Sequence, residues 1–159
     1  DCPIGLINII KKGEKSISLS IDENQTTLLS FRSGGKKLYG IIGLGYNFQN
    51  DEDVYAFEGG LGAHFFRSKS FRLNTEMAAI TLQNFKEGEY FKSSFRLLPV
   101  LKVTPKLEIF GGPAFNYINT DTSEGRSLTK HYISSWEDRG GDNFQGLYIG
   151  YTAGLHIIF

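Results

Sequence analysis

The sequence predicts an all-β protein, a transmembrane antiparallel up-and-down β-barrel that most simply has eight strands. Apolar residues alternate with small or polar residues, which is the period of a strand whose two faces meet different surroundings. One face of these stretches is almost wholly large and apolar, whereas the other combines glycine with charged residues. The stretches run for about 12 residues, twice the five or six that ordinary globular strands average.

Composition is consistent with this fold and excludes some functions. The 159 residues suit one domain, and Lys plus Arg equal Asp plus Glu at 17 each. A nucleic-acid-binding protein would show a basic excess, which this chain lacks. The chain has no run of 18 apolar residues, so the sequence predicts no transmembrane helix. Alternating barrel strands average out to modest hydropathy, here a mean hydropathy of -0.21.

The number of strands has two solutions. A further apolar stretch at 3–11 would raise the count to nine, whereas single-chain bacterial barrels usually have an even number. Either residues 16–159 form eight strands and 1–15 are a leader, or upstream strands are missing from a barrel of ten or more strands. The first solution needs nothing that the sequence does not contain. The predicted strands are 16–21, 26–32, 37–48, 54–66, 70–81, 91–103, 106–118 and 146–159.

The face that combines glycine with charges is predicted to line a narrow lumen. Side chains fill the interior of an eight-stranded barrel, and charges buried there must be paired and hydrogen-bonded. We therefore expect a salt-bridge network that fills and stiffens the lumen rather than an ion path. Alternation also turns Lys92 inward, and it places Phe65 on the outer face and Phe66 on the inner face. The predicted network comprises Glu58, His64, Arg72, Asn74, Glu76, Arg96, Glu108 and His156.

The apolar face is predicted to meet lipid, for example through Leu44, Leu61 and Ile157. Aromatic residues near the strand ends are typical of the two girdles of a membrane barrel. Alternation alone does not decide which face is outside, so a soluble, lipocalin-like barrel that carries an apolar ligand is an alternative. The predicted girdles are Phe48, Tyr55 and Tyr117 at one level, and Phe65, Phe71 and Phe159 at the other.

The last eight residues, TAGLHIIF, place Thr152, Gly154 and Ile157 at fixed intervals before Phe159. This pattern resembles the C-terminal signal of bacterial outer-membrane β-barrel proteins. The resemblance implies an integral protein of a Gram-negative outer membrane, in contact with outer-membrane lipid and lipopolysaccharide. It also implies that the C-terminal strand engages the barrel-assembly machinery. With Phe159 at the periplasmic end, the loops 82–90 and 119–145 are expected to be extracellular.

Residues 4–9, IGLINI, carry a second resemblance. They are similar to one copy of the short repeat in the GLIN-type surface-repeat family of spirochaetes and Bacteroidota. This resemblance implies a small barrel of the Bacteroidota type and favours a chain with an upstream region. The alternative interpretation is an apolar strand followed by a turn after Lys12 and Gly13.

The sequence predicts a non-catalytic scaffold, binding or accessory subunit that acts through its extracellular loops. Tyr132 and Trp136 are the predicted contacts to a protein partner or the membrane interface. No cofactor motif is present in the sequence. The two inward histidines, His64 and His156, are too few for a metal site, which needs three or four converging ligands.

A lipid-modifying enzyme of the outer leaflet is the alternative from a different class. Outer-membrane lipid A deacylases resemble this chain in size and barrel type, and they use His, Ser and an acid near the outer rim. A serine nucleophile needs a base within hydrogen-bond reach. The spacing of His131 and Ser134 departs from the His-x-Ser pattern of that family, and these residues are predicted to lie in a loop. The other polar candidates there are Ser135, Glu137 and Asp138.

Overall fold

The structure is a computed structural model that describes residues 14–48, 54–83, 89–121, 131–137 and 143–159. In these parts of the chain, no helix has the length and apolar character needed to cross a membrane. The strands are β1 (Glu14–Asp22), β2 (Thr26–Gly34), β3 (Leu38–Asn47), β4 (Val54–Arg67), β5 (Phe71–Gln83), β6 (Glu89–Lys102), β7 (Leu107–Thr120), β8 (Ser134–Glu137) and β9 (Phe144–Ile158).

Eight of these strands close into an antiparallel up-and-down barrel. Each strand from β1 to β6 pairs with the next, and β9 pairs with β7 on one edge and with β1 on the other. The closing pairs run from Ser16–Ile158 to Asp22–Thr152. The predicted eight-stranded barrel is therefore confirmed, and the alternative of a fragment of a larger barrel is wrong. The segments 3–11 and 4–9 lie outside the described residues.

The connections divide the barrel into two ends. At one end, here the turn end, the chain reverses in the short turns 35–37, 68–70 and 103–106. At the other, the loop end, lie the tight turn 23–25 and the connections 48–53, 84–88 and 121–143. The connections at the positions of the predicted loops 82–90 and 119–145 are shorter than predicted, because the flanking strands extend further. The strands β5, β6, β7 and β9 extend into them, and β8 lies within the second.

Side chains alternate between the wall and the lumen as the sequence predicts. On β4, Leu61 is 70% exposed while Glu58 is 5% exposed. On β5, Met77 points outward and its neighbours Glu76 and Ala78 are buried. The alternation follows from the pleat of a strand, which turns successive side chains to opposite faces. Large apolar side chains therefore cover the outside of the barrel, and charged side chains lie inside it.

The prediction that Phe66 faces the lumen is wrong. Near the end of β4, His64 pairs with Asn74 and Phe66 pairs with Leu73, so the register shifts at this point. A β-bulge inserts one extra residue and resets the alternation. Phe65 and Phe66 are consequently both on the outside, 80% and 56% exposed. A single-residue bulge leaves no mark in the alternation of the sequence.

Candidate functional site

Among the described residues, the lumen holds three clusters of charged side chains, named here the lower, middle and upper clusters from the turn end to the loop end. Four buried cations belong to them: Arg32, Arg72, Lys92 and Arg96. Each is bound to at least one carboxylate. Strand register brings the partners together, since inward residues of neighbouring strands lie side by side. For example, Glu76 on β5 is directly opposite Arg96 on β6.

The middle cluster is a chain of alternating charges across the barrel. Arg32 binds Glu76 through two bonds, Nε to Oε1 at 3.0 Å and Nη2 to Oε2 at 3.2 Å. Arg96 Nη1 lies 2.7 Å from Glu58 Oε1 and 3.6 Å from Glu76 Oε2. The Tyr39 hydroxyl donates to Glu76 Oε1 at 2.8 Å. Because two guanidinium groups balance two carboxylates, the cluster is neutral and its buried charges are compensated.

Serines on β1 and β2 complete the middle cluster. The Ser30 hydroxyl donates to Glu58 Oε2, and Arg32 Nη1 donates to the Ser18 hydroxyl. Both serines are almost fully buried. A small hydroxyl on this side of the lumen leaves room for the two arginines, which are long side chains. The serines thus satisfy hydrogen-bonding capacity that the ion pairs leave over.

The lower cluster is built around Arg72. Its Nη1 lies 2.7 Å from Glu14 Oε1, and its Nη2 donates to Glu108 Oε2. The His156 ring lies with Nδ1 3.5 Å from the same Glu108 oxygen and stacks on Phe110 at 4.3 Å between ring centroids. A cavity of about 20 Å³ opens beside Arg72 and His156. Its volume is close to that of a single water molecule.

His64 and Asn74 form a pair on neighbouring strands beside this cluster. His64 Nδ1 lies 2.8 Å from Asn74 Oδ1, and the His64 ring stacks on Tyr39 at 4.9 Å. A Cβ atom at Gly62 would overlap the Tyr39 ring, so glycine is required for this approach. The stacked ring in turn directs the Tyr39 hydroxyl towards Glu76 in the middle cluster.

The upper cluster is centred on Lys92. Its Nζ lies 2.9 Å from both Asp22 Oδ2 and Glu23 Oε1, and 5.8 Å from the centre of the Tyr148 ring. Glu23 also accepts hydrogen bonds from Asn116 Nδ2 at 3.1 Å and from the Tyr151 backbone N–H at 3.0 Å. The turn that carries Glu23 therefore folds back over the loop end of the lumen.

An apolar cluster closes the lumen beside the upper charges. Its buried members come from β2, β4, β5, β6, β7 and β9, and Tyr132 packs against them. Packed aromatic and aliphatic side chains at this level exclude water from the charged groups below, which strengthens their ion pairs. The buried members are Leu28, Val54, Ala56, Ile80, Leu82, Tyr90, Ile118, Phe144 and Tyr148.

All eight residues of the predicted network therefore lie within the barrel, seven of them buried and His64 partly buried. They do not form one network, since His64 and Asn74 contact each other beside the charged clusters. The predicted network leaves out part of this set. Alternation in the short predicted strand 26–32 could have placed Arg32 inside the barrel. Nothing in the sequence indicates that Glu23 folds back onto Lys92. The members outside the predicted network are Glu14, Ser18, Asp22, Glu23, Ser30, Arg32, Tyr39 and Lys92, of which alternation already turned Lys92 inward.

The arrangement fits a structural lumen. Ion pairs and the apolar cluster occupy its length, and the polar interior does not fit a lipocalin-like barrel, whose ligand cavity is apolar. Among the residues that the structure describes, no group of three or more His, Cys, Asp or Glu side chains is placed to hold a metal ion. The described residues of the lumen provide charge compensation and hydrogen bonding between strands.

The short strand β8 extends the wall at the loop end. It pairs with β9 from Ser134–Leu147 to Glu137–Phe144, on the edge of β9 that lies beyond the end of β1. The prediction that Ser134 and Glu137 lie in an irregular loop is therefore wrong. The structure describes both His131 and Ser134, and it shows no hydrogen bond between their side chains. The geometry thus gives no support for a serine nucleophile activated by His131.

The two aromatic residues of this segment have different surroundings. Tyr132 packs inward, with ring centroids 5.2 Å from Phe144 and 6.0 Å from Tyr148. Trp136 is on the outside and 43% exposed. Its indole N–H donates to Gln145 Oε1 at 2.7 Å, and the Tyr117 hydroxyl donates to the same oxygen at 2.9 Å. Trp136 is therefore the more accessible of the two predicted contact residues.

The four residues of the C-terminal pattern lie on β9 and just beyond it, along the closing seam. Thr152 is buried and lies opposite Asp22 of β1. Gly154 faces the lumen, where a Cβ atom would meet the Phe110 ring. Ile157 and Phe159 are exposed on the wall. Their role in barrel assembly stays a prediction.

No protein-family model and no curated protein matches the chain. Among solved structures, the crystal structure of Neisserial surface protein A (NspA) is similar, with a TM-score of 0.40 and 11% sequence identity. The match covers 92% of this chain and 94% of that chain. A likeness at this level carries no inference about the function of this chain.

Replacing Glu76 by Gln should destabilise the barrel strongly. The substitution keeps the shape of the side chain but leaves Arg32 and Arg96 with one carboxylate, Glu58, between them. Breaking a buried ion pair costs about 3–5 kcal/mol. Urea unfolding of the chain folded in lipid vesicles measures this loss.

Arg67→Gln is the matched control, since Arg67 is 43% exposed and pairs with Glu14 at the turn end. An exposed pair contributes less than about 1 kcal/mol. Equal losses for the Glu76 and Arg67 variants would show that the lumen charges are not a stabilising network.

Proposed function

We propose that the chain is an integral β-barrel of a Gram-negative outer membrane, where it acts as a non-catalytic scaffold or accessory subunit through its loop end. The observation that carries this proposal is the apolar outer wall. At mid-height, Ile42, Leu44, Leu61, Met77 and Ile149 are each more than 60% exposed. Monomeric soluble proteins rarely expose apolar patches of more than a few hundred Å².

The interior supports the same environment. A water-soluble barrel would place its charges on the surface, where solvation is free, and its apolar side chains inside. Here Arg96, Glu76 and Glu108 are at most 1% exposed, while leucine and phenylalanine cover the wall. This distribution is favourable when the surrounding solvent is hydrocarbon. Each buried charge is paired, and the apolar side chains of the wall have no polar groups that require hydration.

The strand lengths fit a bilayer. Strands β4 to β7 and β9 have 13 to 15 residues. At about 3.3 Å per residue and a tilt of about 45°, they span about 30–35 Å, which covers the hydrocarbon core. Strands β1 to β3 have only 9 or 10 residues, so the wall is lower on that side. The same calculation gives about 21–23 Å there, close to the apolar band of an outer-membrane barrel.

The proposed role as a scaffold or accessory subunit is supported by the accessible surface at the loop end of the barrel. Ion pairs and packed apolar side chains of the described residues occupy the lumen, which favours the loop end over the interior as the place where a protein partner binds. Its longest connection, 121–143, includes β8 and the accessible Trp136. The resemblance of the C-terminal pattern to outer-membrane barrels supports the orientation with the turn end in the periplasm. The Bacteroidota type stays a prediction from residues 4–9.

Orientation is tested by labelling single cysteines in cells that carry the protein in their outer membrane. With the chain's one cysteine, Cys2, replaced by Ser, a bulky membrane-impermeant maleimide should label Ser135→Cys in intact cells. The matched variant Lys69→Cys, at the turn end, should react only after the outer membrane is permeabilised. Both positions are exposed. Release of the protein by alkaline carbonate, or the reverse labelling pattern, would contradict the proposal.

The role of the long loop is tested by replacement. A glycine–serine linker of equal length in place of 122–130 should leave heat-modifiable gel mobility unchanged, because the replaced residues lie outside the described strands. A stoichiometric protein partner recovered with the wild-type chain after cross-linking should then be lost. The same replacement at 84–88 should retain that partner. A partner that survives the first replacement, or no partner with the wild type, would contradict the accessory role.

A further inference from the structure

The turn end of the barrel carries an unusual concentration of positive charge. Its three turns contain four lysines and no carboxylate. Three more cations stand at the adjoining strand ends, and Glu14 beside them is bound by Arg67 and Arg72. Apart from Lys102, which is partly buried, these cations are exposed. The set, named here the cationic ring, is Lys15, Lys36, Lys37, Arg67, Lys69, Lys102 and Lys106.

The opposite end has the opposite charge. The connections 48–53, 84–88 and 121–143 contain nine Asp or Glu residues and four Lys or Arg residues. The chain as a whole is neutral, with 17 charges of each sign. The turns at one end and the connections at the other therefore differ in the sign of their sequence charge, a separation that the net charge of the chain does not reveal. Because the two ends of a membrane barrel meet different leaflets, such a separation bears on how each end interacts with lipid headgroups.

Aromatic side chains form a belt just above the cationic ring. The β4 bulge turns both Phe65 and Phe66 outward. Phe71 packs on Phe66 with ring centroids 6.3 Å apart, and Phe31 lies 6.4 Å from Phe159. Aromatic belts mark the level at which the hydrocarbon core meets the headgroups. The cationic ring therefore lies at headgroup height if the wall spans a bilayer.

We propose that the cationic ring binds the headgroups of anionic phospholipids in the leaflet at the turn end. The proposal rests on the proposed membrane location. Each Lys or Arg near an anionic membrane surface adds to the attraction between protein and headgroups, and this attraction decays within a Debye length. Lysine stems can lie along the apolar wall while the ammonium groups reach the phosphates.

The arrangement of the charges favours lipid over an acidic protein as the occupant. The lysines come from the start of β1 and from the three hairpins β2–β3, β4–β5 and β6–β7. These elements follow one another around the barrel, so the charges surround it rather than form one patch. A bilayer also surrounds the barrel, whereas a docked protein would contact one side of it.

Lipid selectivity of the folded chain in vesicles tests the proposal. In phosphatidylcholine vesicles with trace spin-labelled lipid, the motionally restricted fraction of labelled phosphatidylglycerol is compared with that of labelled phosphatidylcholine. We expect the wild-type chain to prefer phosphatidylglycerol by about fivefold, the factor that corresponds to about 1 kcal/mol. The variant Lys36→Gln, Lys37→Gln, Lys69→Gln, Lys106→Gln should lose most of this preference. High salt should weaken the wild-type preference as well.

The matched control removes an equal number of positive charges, four, from the connections at the other end: Lys86→Gln, Arg126→Gln, Lys130→Gln, Arg139→Gln. It should keep the wild-type preference. The proposal is overturned if the wild type shows no preference, if the turn-end variant keeps it, or if both variants lose it equally. Sedimentation with the vesicles after a carbonate wash is scored separately. Failure to sediment would instead contradict the membrane location on which the proposal rests.

Discussion

A guanidinium or carboxylate group inside an eight-stranded barrel has little water to solvate it, so a neighbouring side chain must meet its charge. This requirement organises the molecule. A neutral chain across the lumen is formed by Arg32, Glu76, Arg96 and Glu58. Nearer the two ends, Arg72 and Lys92 are likewise paired with carboxylates. Their partners come from β1, the β1–β2 turn and β7, so the ion pairs tie opposite walls together. Closure of the barrel therefore brings the partners of these ion pairs together.

The filled lumen decides which functions the fold can support. A barrel whose interior is occupied by ion pairs and an apolar cluster offers its wall and its two ends for interaction. The wall is suited to hydrocarbon, the loop end carries the long connection that includes β8, and the turn end carries exposed lysines. The two ends differ in charge although the chain is neutral overall. Among the described residues, no hydrogen bond joins the side chains of His131 and Ser134, so the geometry gives no support for a serine nucleophile activated by that histidine.

Much of this architecture could be predicted from the sequence, because period-two alternation is a local property that survives folding. Alternation correctly placed Glu58, Arg72 and Glu108 inside and Leu61 outside. It failed where geometry depends on distant contacts. Phe66 turned outward because of a bulge in the β4–β5 pairing, and β8 forms only because β9 has a free edge beyond the end of β1. The contact between Glu23 and Lys92 joins residues far apart in sequence, which no local pattern records.

The most direct test of the central claim, that the apolar wall faces hydrocarbon, is spin-label accessibility in lipid vesicles. Single nitroxides would replace Leu44, Leu61, Met77 and Ile149 at mid-wall, with Lys69 at the turn end as reference. The mid-wall labels should collide frequently with oxygen, which concentrates in hydrocarbon, and rarely with a water-soluble nickel chelate. The Lys69 label should show the reverse. Nickel collisions at Leu61 and Met77 as frequent as at Lys69 would mean that water surrounds the wall, and the account would be contradicted.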